Sequence, residues 1–305
     1  MYNIDRLYEA VAAKGHVCVG LDTAAEYVPP AERRLAVSGA DAVFAFNKAI
    51  VDSTLDVAAC YKVQIACYEE MGIAGLAAYA KTLQYIREKD GLVIADIKRG
   101  DIADTALRYA KAHFSGDFEA DFVTLSPYMG MDSVEPWLEY SDSAGKGAFV
   151  LMRTSNKGMR DFEFLEISPD RKRLYNKVGD KLVGLAAAHT GKYGYGAFGA
   201  VVGCTEREEA AEIRKNYAGL FFLIPGYGAQ GGAADDAALL LRDGNGGVVN
   251  ASRSILKAWN AGPGNSGGDN AAVTNEFAAQ AARRAVIAMR DAILEAAAAK
   301  LPVKK

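Results

Sequence analysis

The residues Asp96-Ile97-Lys98-Arg99-Gly100-Asp101-Ile102 follow the apolar run Leu92-Val93-Ile94-Ala95, so ionisable groups gather where a buried strand emerges into a loop. Successive strand residues point to opposite faces. Asp96 and Lys98 therefore share one face, Ile97 packs on the other, and Asp101 is placed to fold back from the turn. A lysine between two carboxylates stays cationic, and they stay anionic, in a pocket too dry to hold any of them alone. Such an array suits a reaction that creates or neutralises negative charge on carbon. A lone D-x-K spacing reads more simply as a strand-end ion pair; Asp101 and Thr105, with the architecture below, favour chemistry. Lys62, in Tyr61-Lys62-Val63, lies inside an apolar strand and must snorkel or meet a carboxylate, and the Asp96 group is the partner expected.

The elements that must position these groups recur along the chain. Eight short apolar runs read as strands: His16–Gly20, Ala58–Ile65, Leu92–Ala95, Phe122–Leu125, Ala148–Met152, Ala197–Gly203, Leu220–Ile224 and Gly247–Asn250. Between them, Gly75–Glu88, Ile102–Phe114, Arg171–His189, Glu206–Tyr217 and Ala233–Arg242 carry apolar residues at three- and four-residue steps, which predicts helices. Near-continuous apolar strands alternating with helices imply a parallel sheet covered by helices. Eight such units predict a (β/α)8 TIM barrel, with a doubly wound sheet as the alternative. The 305 residues are read as one barrel domain, with a glycine-rich surface insertion near 261–270 and a C-terminal helix over about 271–299.

A barrel of this kind carries its active site at the carboxyl ends of the strands, so the polar residues after each apolar run are the candidates. Asp22 follows the first strand, and its carboxylate suits sugar hydroxyls or a helix cap equally well. Ser155 follows the fifth. Pro225-Gly226-Tyr227-Gly228-Ala229-Gln230-Gly231-Gly232 follows the seventh, and Arg253 the eighth. Glycine-rich backbone beside an arginine is the makings of a phosphate cradle, to which Gln230 adds an amide donor.

Composition narrows the alternatives. Lys+Arg 35 against Asp+Glu 38 gives a net charge of −3 without a basic block beyond Lys304-Lys305, which argues against a nucleic-acid partner. Cys18, Cys60, Cys67 and Cys204 lie in apolar contexts without metal-ligand spacing and read as reduced core thiols, as in a reducing cytoplasm. No apolar run approaches the ~20 residues that span a bilayer, and the first residues show no secretory signal, so neither membrane insertion nor export is expected. Asn250-Ala251-Ser252 matches a glycosylation acceptor by chance. His16, His113 and His189 share no metal spacing and are assigned no catalysis. Nucleophile-elbow, zinc-protease and Walker motifs are absent, which leaves lysine and aspartate to do the chemistry.

Taken together, Asp96, Lys98, Asp101, Ile102 and Thr105 match the D-x-K-x-x-D-I-x-x-T signature, and the chain resembles the orotidine 5′-phosphate decarboxylases, in particular their longer bacterial subfamily. The likeness extends to Gly20-Leu21-Asp22, Phe46-Asn47-Lys48, Lys62, Thr154-Ser155, the Pro225–Gln230 loop and Ser252-Arg253. It implies loss of carbon dioxide from orotidine monophosphate to give uridine monophosphate (UMP), without cofactor or metal. It further implies that Lys98 protonates the carbon losing carboxylate, while Lys62, Asp96 and Asp101 complete its charged network. Asp22 and Lys62 are implied to hold ribose hydroxyls, Ser155 to contact the pyrimidine, and Gln230 with Arg253 to grip phosphate. Asp101 and Thr105 are implied to reach a neighbouring subunit's ribose site, making the protein a homodimer. The rivals are a magnesium-dependent sugar-phosphate decarboxylase or aldolase on the same barrel, a Schiff-base aldolase using Lys98, and a barrel that only binds a phosphate ligand.

Overall fold

Runs such as Phe122-Val123-Thr124-Leu125, apolar or β-branched throughout, meet the requirement of a strand buried on both faces. The computed structural model describes residues 1–167, 169–228, 230–261 and 273–300. Eight such runs form a closed, all-parallel barrel in chain order: β1 (Val17–Gly20), β2 (Cys60–Gln64), β3 (Val93–Arg99), β4 (Phe122–Leu125), β5 (Gly147–Arg153), β6 (Phe198–Val202), β7 (Phe222–Ile224) and β8 (Gly247–Ala251), with β8 closing on β1. The expected (β/α)8 barrel is the observed fold.

Alternation sorts each strand into an inward and an outward set. Cys18, Cys60, Ile94, Phe122, Phe149 and Val248 fill the lower interior, in one cluster with Ile4, Leu7 and Val11 of α1 (Asn3–Lys14). Helix α1 packs under the amino ends of the strands, where Asn3 Nδ2 donates to Asp121 Oδ1 at 3.3 Å and Asn245 Nδ2 donates to the Tyr8 carbonyl at 3.2 Å. Outward residues such as Val17, Val19, Val123 and Val150 form the second core with the surrounding helices. These include α2 (Gly39–Thr54), α3 (Gly72–Glu88), α4 (Ala103–Phe114), α5 (Leu138–Ala144), α6 (Leu174–Ala188), α7 (Arg207–Asn216), α8 (Ala234–Leu239) and α9 (Asn275–Ala298).

Two helix starts follow hydroxyl caps: Ser38 Oγ accepts from Asp41 N–H before α2, and Thr274 Oγ1 accepts from Phe277 N–H before α9. Helix α9 lays Ala278, Ala282, Val286, Met289 and Ile293 inward at three- and four-residue steps, packing chiefly on α2. The predicted insertion lies outside the described residues from 262 to 270, as do 271 and 272 at the predicted start of the last helix.

Several boundaries differ from expectation: the helix expected from Gly75 begins at Gly72, and the one expected to reach Arg242 ends at Leu239. The helix predicted from Arg171 begins only at Leu174, because Glu166–Ile167 and Lys172–Arg173 pair as a small antiparallel hairpin that Arg171 enters at φ 55°. Strand β3 also runs past Ala95 to Arg99, so Asp96 and Lys98 sit on the strand itself.

Candidate active site

Above the apolar interior, the inward residues at the carboxyl ends of the strands line a cavity of about 500 Å³. Its floor is divided. Leu151, Val201 and Leu223 supply an apolar side, and Lys62, Asp96, Thr124 and Asn250 a polar one. The division follows from the strand register: Lys62 stands opposite Ile94 and Gln64 opposite Asp96, so the β2 and β3 charges lie side by side.

Asp96 is the centre of the polar side. Its Oδ1 accepts from Lys98 Nζ at 2.7 Å and Thr124 Oγ1 at 2.8 Å, and its Oδ2 accepts from Lys62 Nζ at 2.7 Å and Gln64 Nε2 at 3.0 Å. Four donors satisfy both oxygens. Burial alone pushes the Asp96 carboxyl up, but the Lys62 and Lys98 ammoniums overcome this and hold it well below the usual carboxylate range. Burial likewise pulls the Lys62 ammonium down, while Asp22 and Asp96 raise it well above the ordinary lysine range. Lys62 reaches Asp22 Oδ1 at 3.0 Å, and Asp22 Oδ2 accepts from Ser252 Oγ at 2.9 Å. Two cations and two anions thus alternate across β1, β2 and β3.

Lys98 differs from Lys62 in being half exposed, with 49% of its side chain accessible against 6%. Its backbone lies at φ 44°, in the left-handed region that costs a residue with a Cβ roughly 1–2 kcal/mol. The β3–β4 register shifts between Ala95 and Arg99, and the deformation carries the Lys98 ammonium to the mouth of the cavity while keeping it on Asp96.

The opposite wall is the β7 loop. Gly226 has φ 102°, and a Cβ there would stand 3.0 Å from Thr205 Cγ2 and 3.2 Å from Ser155 Cβ, so only glycine lets this loop close on the β5 loop. Backbone bonds from Gly228 N to Gly232 O and from Gly232 N to Gly226 O tie the turn. Pro225, Gln230, Ser155 and Arg253 all line this part of the cavity. The exposed Arg253 guanidinium has no carboxylate partner among the described residues, which leaves its fork free for an incoming anion.

Eight of the sequence-predicted site residues, Asp22, Lys62, Asp96, Lys98, Ser155, Pro225, Gln230 and Arg253, come together around this one cavity. Asp101 and Thr105 are placed elsewhere. Asp101 does not fold back onto Lys98: its Oδ1 accepts from the Ile102 N–H at 2.9 Å, capping its own loop, and Thr105 is exposed on α4. Gln64, Thr124 and Asn250 line the cavity without having been singled out. Period-two alternation from Lys62 points to Gln64, and the polar residues within otherwise apolar β4 and β8 are the signal for the other two.

Comparison with known proteins places this geometry among relatives. The family model described as "Orotidine 5′-phosphate decarboxylase / HUMPS family" matches residues 15–262. The orotidine 5′-phosphate decarboxylase of Clostridium perfringens (strain SM101 / Type A) is 54% identical over 292 residues, covering 96% of this chain and 98% of that protein. The Clostridium acetobutylicum protein of the same name is 57% identical over 256 residues, 84% of this chain and 89% of its own. Among solved structures, Leishmania donovani OMP decarboxylase superposes with a TM-score of 0.71 at 32% identity, covering 96% of this chain and all of that one.

Proposed function

The chain belongs to the orotidine 5′-phosphate decarboxylase / HUMPS family, and from that premise we propose that its cavity converts orotidine 5′-phosphate to uridine 5′-phosphate with Lys98 as proton donor. The observation that carries this reading is the Asp22–Lys62–Asp96–Lys98 array, whose one accessible ammonium stands at the cavity mouth. The named relatives favour the decarboxylase over the sugar-phosphate rival.

When the bond between C6 and the carboxylate breaks, its electron pair stays on the ring carbon and carbon dioxide departs. An ammonium held beside C6 stabilises that charge and then transfers a proton to it, leaving a neutral amine that solvent reprotonates. Asp96, saturated by four donors, keeps Lys98 oriented before substrate arrives. A carboxylate at Asp96 also disfavours the substrate carboxylate beside it, a strain relieved as carbon dioxide forms. In this reading Asp22 and Lys62 take the ribose hydroxyls, Ser155 the pyrimidine edge, and Gln230 with Arg253 the phosphate, with Pro225 shaping the loop. The deciding assay incubates the purified chain with orotidine 5′-phosphate in the presence of a chelator and follows the orotate chromophore. Metal-independent loss with formation of uridine 5′-phosphate is expected; activity only on adding magnesium would select the sugar-phosphate rival, and a borohydride-trapped adduct the Schiff-base one.

Arg253→Ala removes a charge-assisted pair of about 1.5–3 kcal/mol, so KM for orotidine 5′-phosphate is expected to rise roughly 10- to 100-fold. A steady-state titration checks this.

We also propose a cytoplasmic homodimer with shared sites. No described helix is long and apolar enough to cross a membrane, and the four cysteines are free thiols. Asp101 and Thr105 lie outside their own cavity, and Ile102, Tyr128 and Met129 on neighbouring strand-end loops are 45%, 83% and 51% exposed, which suits an apolar contact between copies. Mixing Lys98→Ala chains with Asp101→Ala chains is expected to recover activity that neither variant has alone. Recovery absent after subunit exchange would reject the shared site.

A further inference from the structure

We infer that Thr124 is the positioning residue that holds the Lys98 backbone in its left-handed conformation and couples it to the Asp96 carboxylate. The inference rests on the decarboxylase reading of the cavity and deepens it.

A hydroxyl has one hydrogen and two lone pairs. Thr124 Oγ1 accepts from the Ile97 N–H and from the Lys98 N–H, each at 3.0 Å, which occupies both lone pairs. Its hydrogen is thereby directed at Asp96 Oδ1, 2.8 Å away, the same oxygen that receives the Lys98 ammonium at 2.7 Å. Side chain and main chain of Lys98 are thus both referred to one carboxylate oxygen, one directly and one through Thr124.

The strand register explains why a side chain is needed. β3 and β4 pair as Ala95 with Val123 and then as Arg99 with Leu125, so the β3 residues between them have no regular backbone partners on β4. Two of those orphaned N–H groups, buried at Ile97 and part-buried at Lys98, are the ones Thr124 takes. The left-handed turn at Lys98 is a conformation that persists only where its surroundings over-determine it. Thr124, 1% exposed and bonded both to the Lys98 N–H and to Asp96, supplies that constraint. A valine has the same shape and none of the three hydrogen bonds. It would strand two amides and let the turn relax, moving the ammonium away from the reacting carbon.

The test compares Thr124→Val and Thr124→Ser with the wild type, measuring turnover of orotidine 5′-phosphate and, separately, the affinity of uridine 5′-phosphate, which lacks the departing carboxylate. Thr124→Val is expected to lose roughly 10- to 100-fold in kcat, the scale of a misplaced reacting group, while uridine 5′-phosphate affinity stays within about threefold. Thr124→Ser, which keeps the hydroxyl, is expected to retain kcat within about threefold of wild type. Wild-type kcat in Thr124→Val, equal loss of kcat and product affinity, or a serine variant as slow as valine would each overturn the role. Should the valine variant not fold, Thr124→Cys keeps the volume with a weaker hydrogen-bonding group and carries the same expectation of slowed turnover. An inactive wild type would instead reject the decarboxylase reading itself.

Discussion

Lys98→Ala is expected to reduce kcat for orotidine 5′-phosphate by at least about 10⁴-fold, because on the proposed mechanism it removes both the proton source and the cation facing the developing carbanion. The fold should survive. Lys98 is half exposed and forms its ion pair at the cavity mouth, so its truncation leaves Asp96 with Lys62, Gln64 and Thr124 still in place. Thermal unfolding within a few degrees of wild type, alongside lost turnover in a stopped assay, is the expected pair of results. Wild-type turnover in this variant would remove Lys98 from the chemistry and the decarboxylation mechanism with it.

Asp96→Asn is expected to cost both activity and stability. Turnover should fall by at least about 10³-fold, since the amide does not hold two ammoniums as the carboxylate does and, on the proposed mechanism, does not oppose the substrate carboxylate. Stability at pH 7 should fall by about 3 kcal/mol, the scale of removing one partner from a buried ion pair, because Lys62 stays buried with Asp22 as its remaining anion. Linkage gives a second signature. The Asp96 carboxyl is held below its unfolded value, so its stabilisation is fully present above about pH 4 and is lost as acid carries the protein down towards its depressed folded value. Urea unfolding from pH 7 to pH 3 is therefore expected to show a flatter acid limb in Asp96→Asn than in wild type. A variant as stable as wild type at pH 7, with an equally steep acid limb, would mean that the carboxylate is not the anchor described.

The barrel was legible because burial on both faces leaves a continuous mark: Phe122–Leu125 is apolar enough to be bounded to the residue. Lys62 and Asp96 stood out for the converse reason, as charges within apolar strands that demand partners. Thr124 gave a weaker signal, since a lone polar residue in an apolar strand is also what β propensity alone allows when it is a threonine. The left-handed turn at Lys98 was hidden, because it depends on how β3 registers against β4, a relation between segments some 25 residues apart. Asp101 shows the limit of spacing arguments most clearly. Three residues beyond Lys98 its reach is adequate, but the loop leaves the strand in another direction and the carboxylate turns to its neighbour's N–H. Where its carboxylate ends up is decided by the path of the chain.

The packed floor has a consequence for how products leave. Phe122, Phe149 and Val248 pack the barrel below the cavity, and α1 lies beneath them, so among the described residues the way downward from the base is filled. On the proposed reaction, carbon dioxide is expected to depart through the mouth by which the nucleotide enters. A nucleotide seated there would stand in that mouth, so the gas either slips past it or waits for it to go.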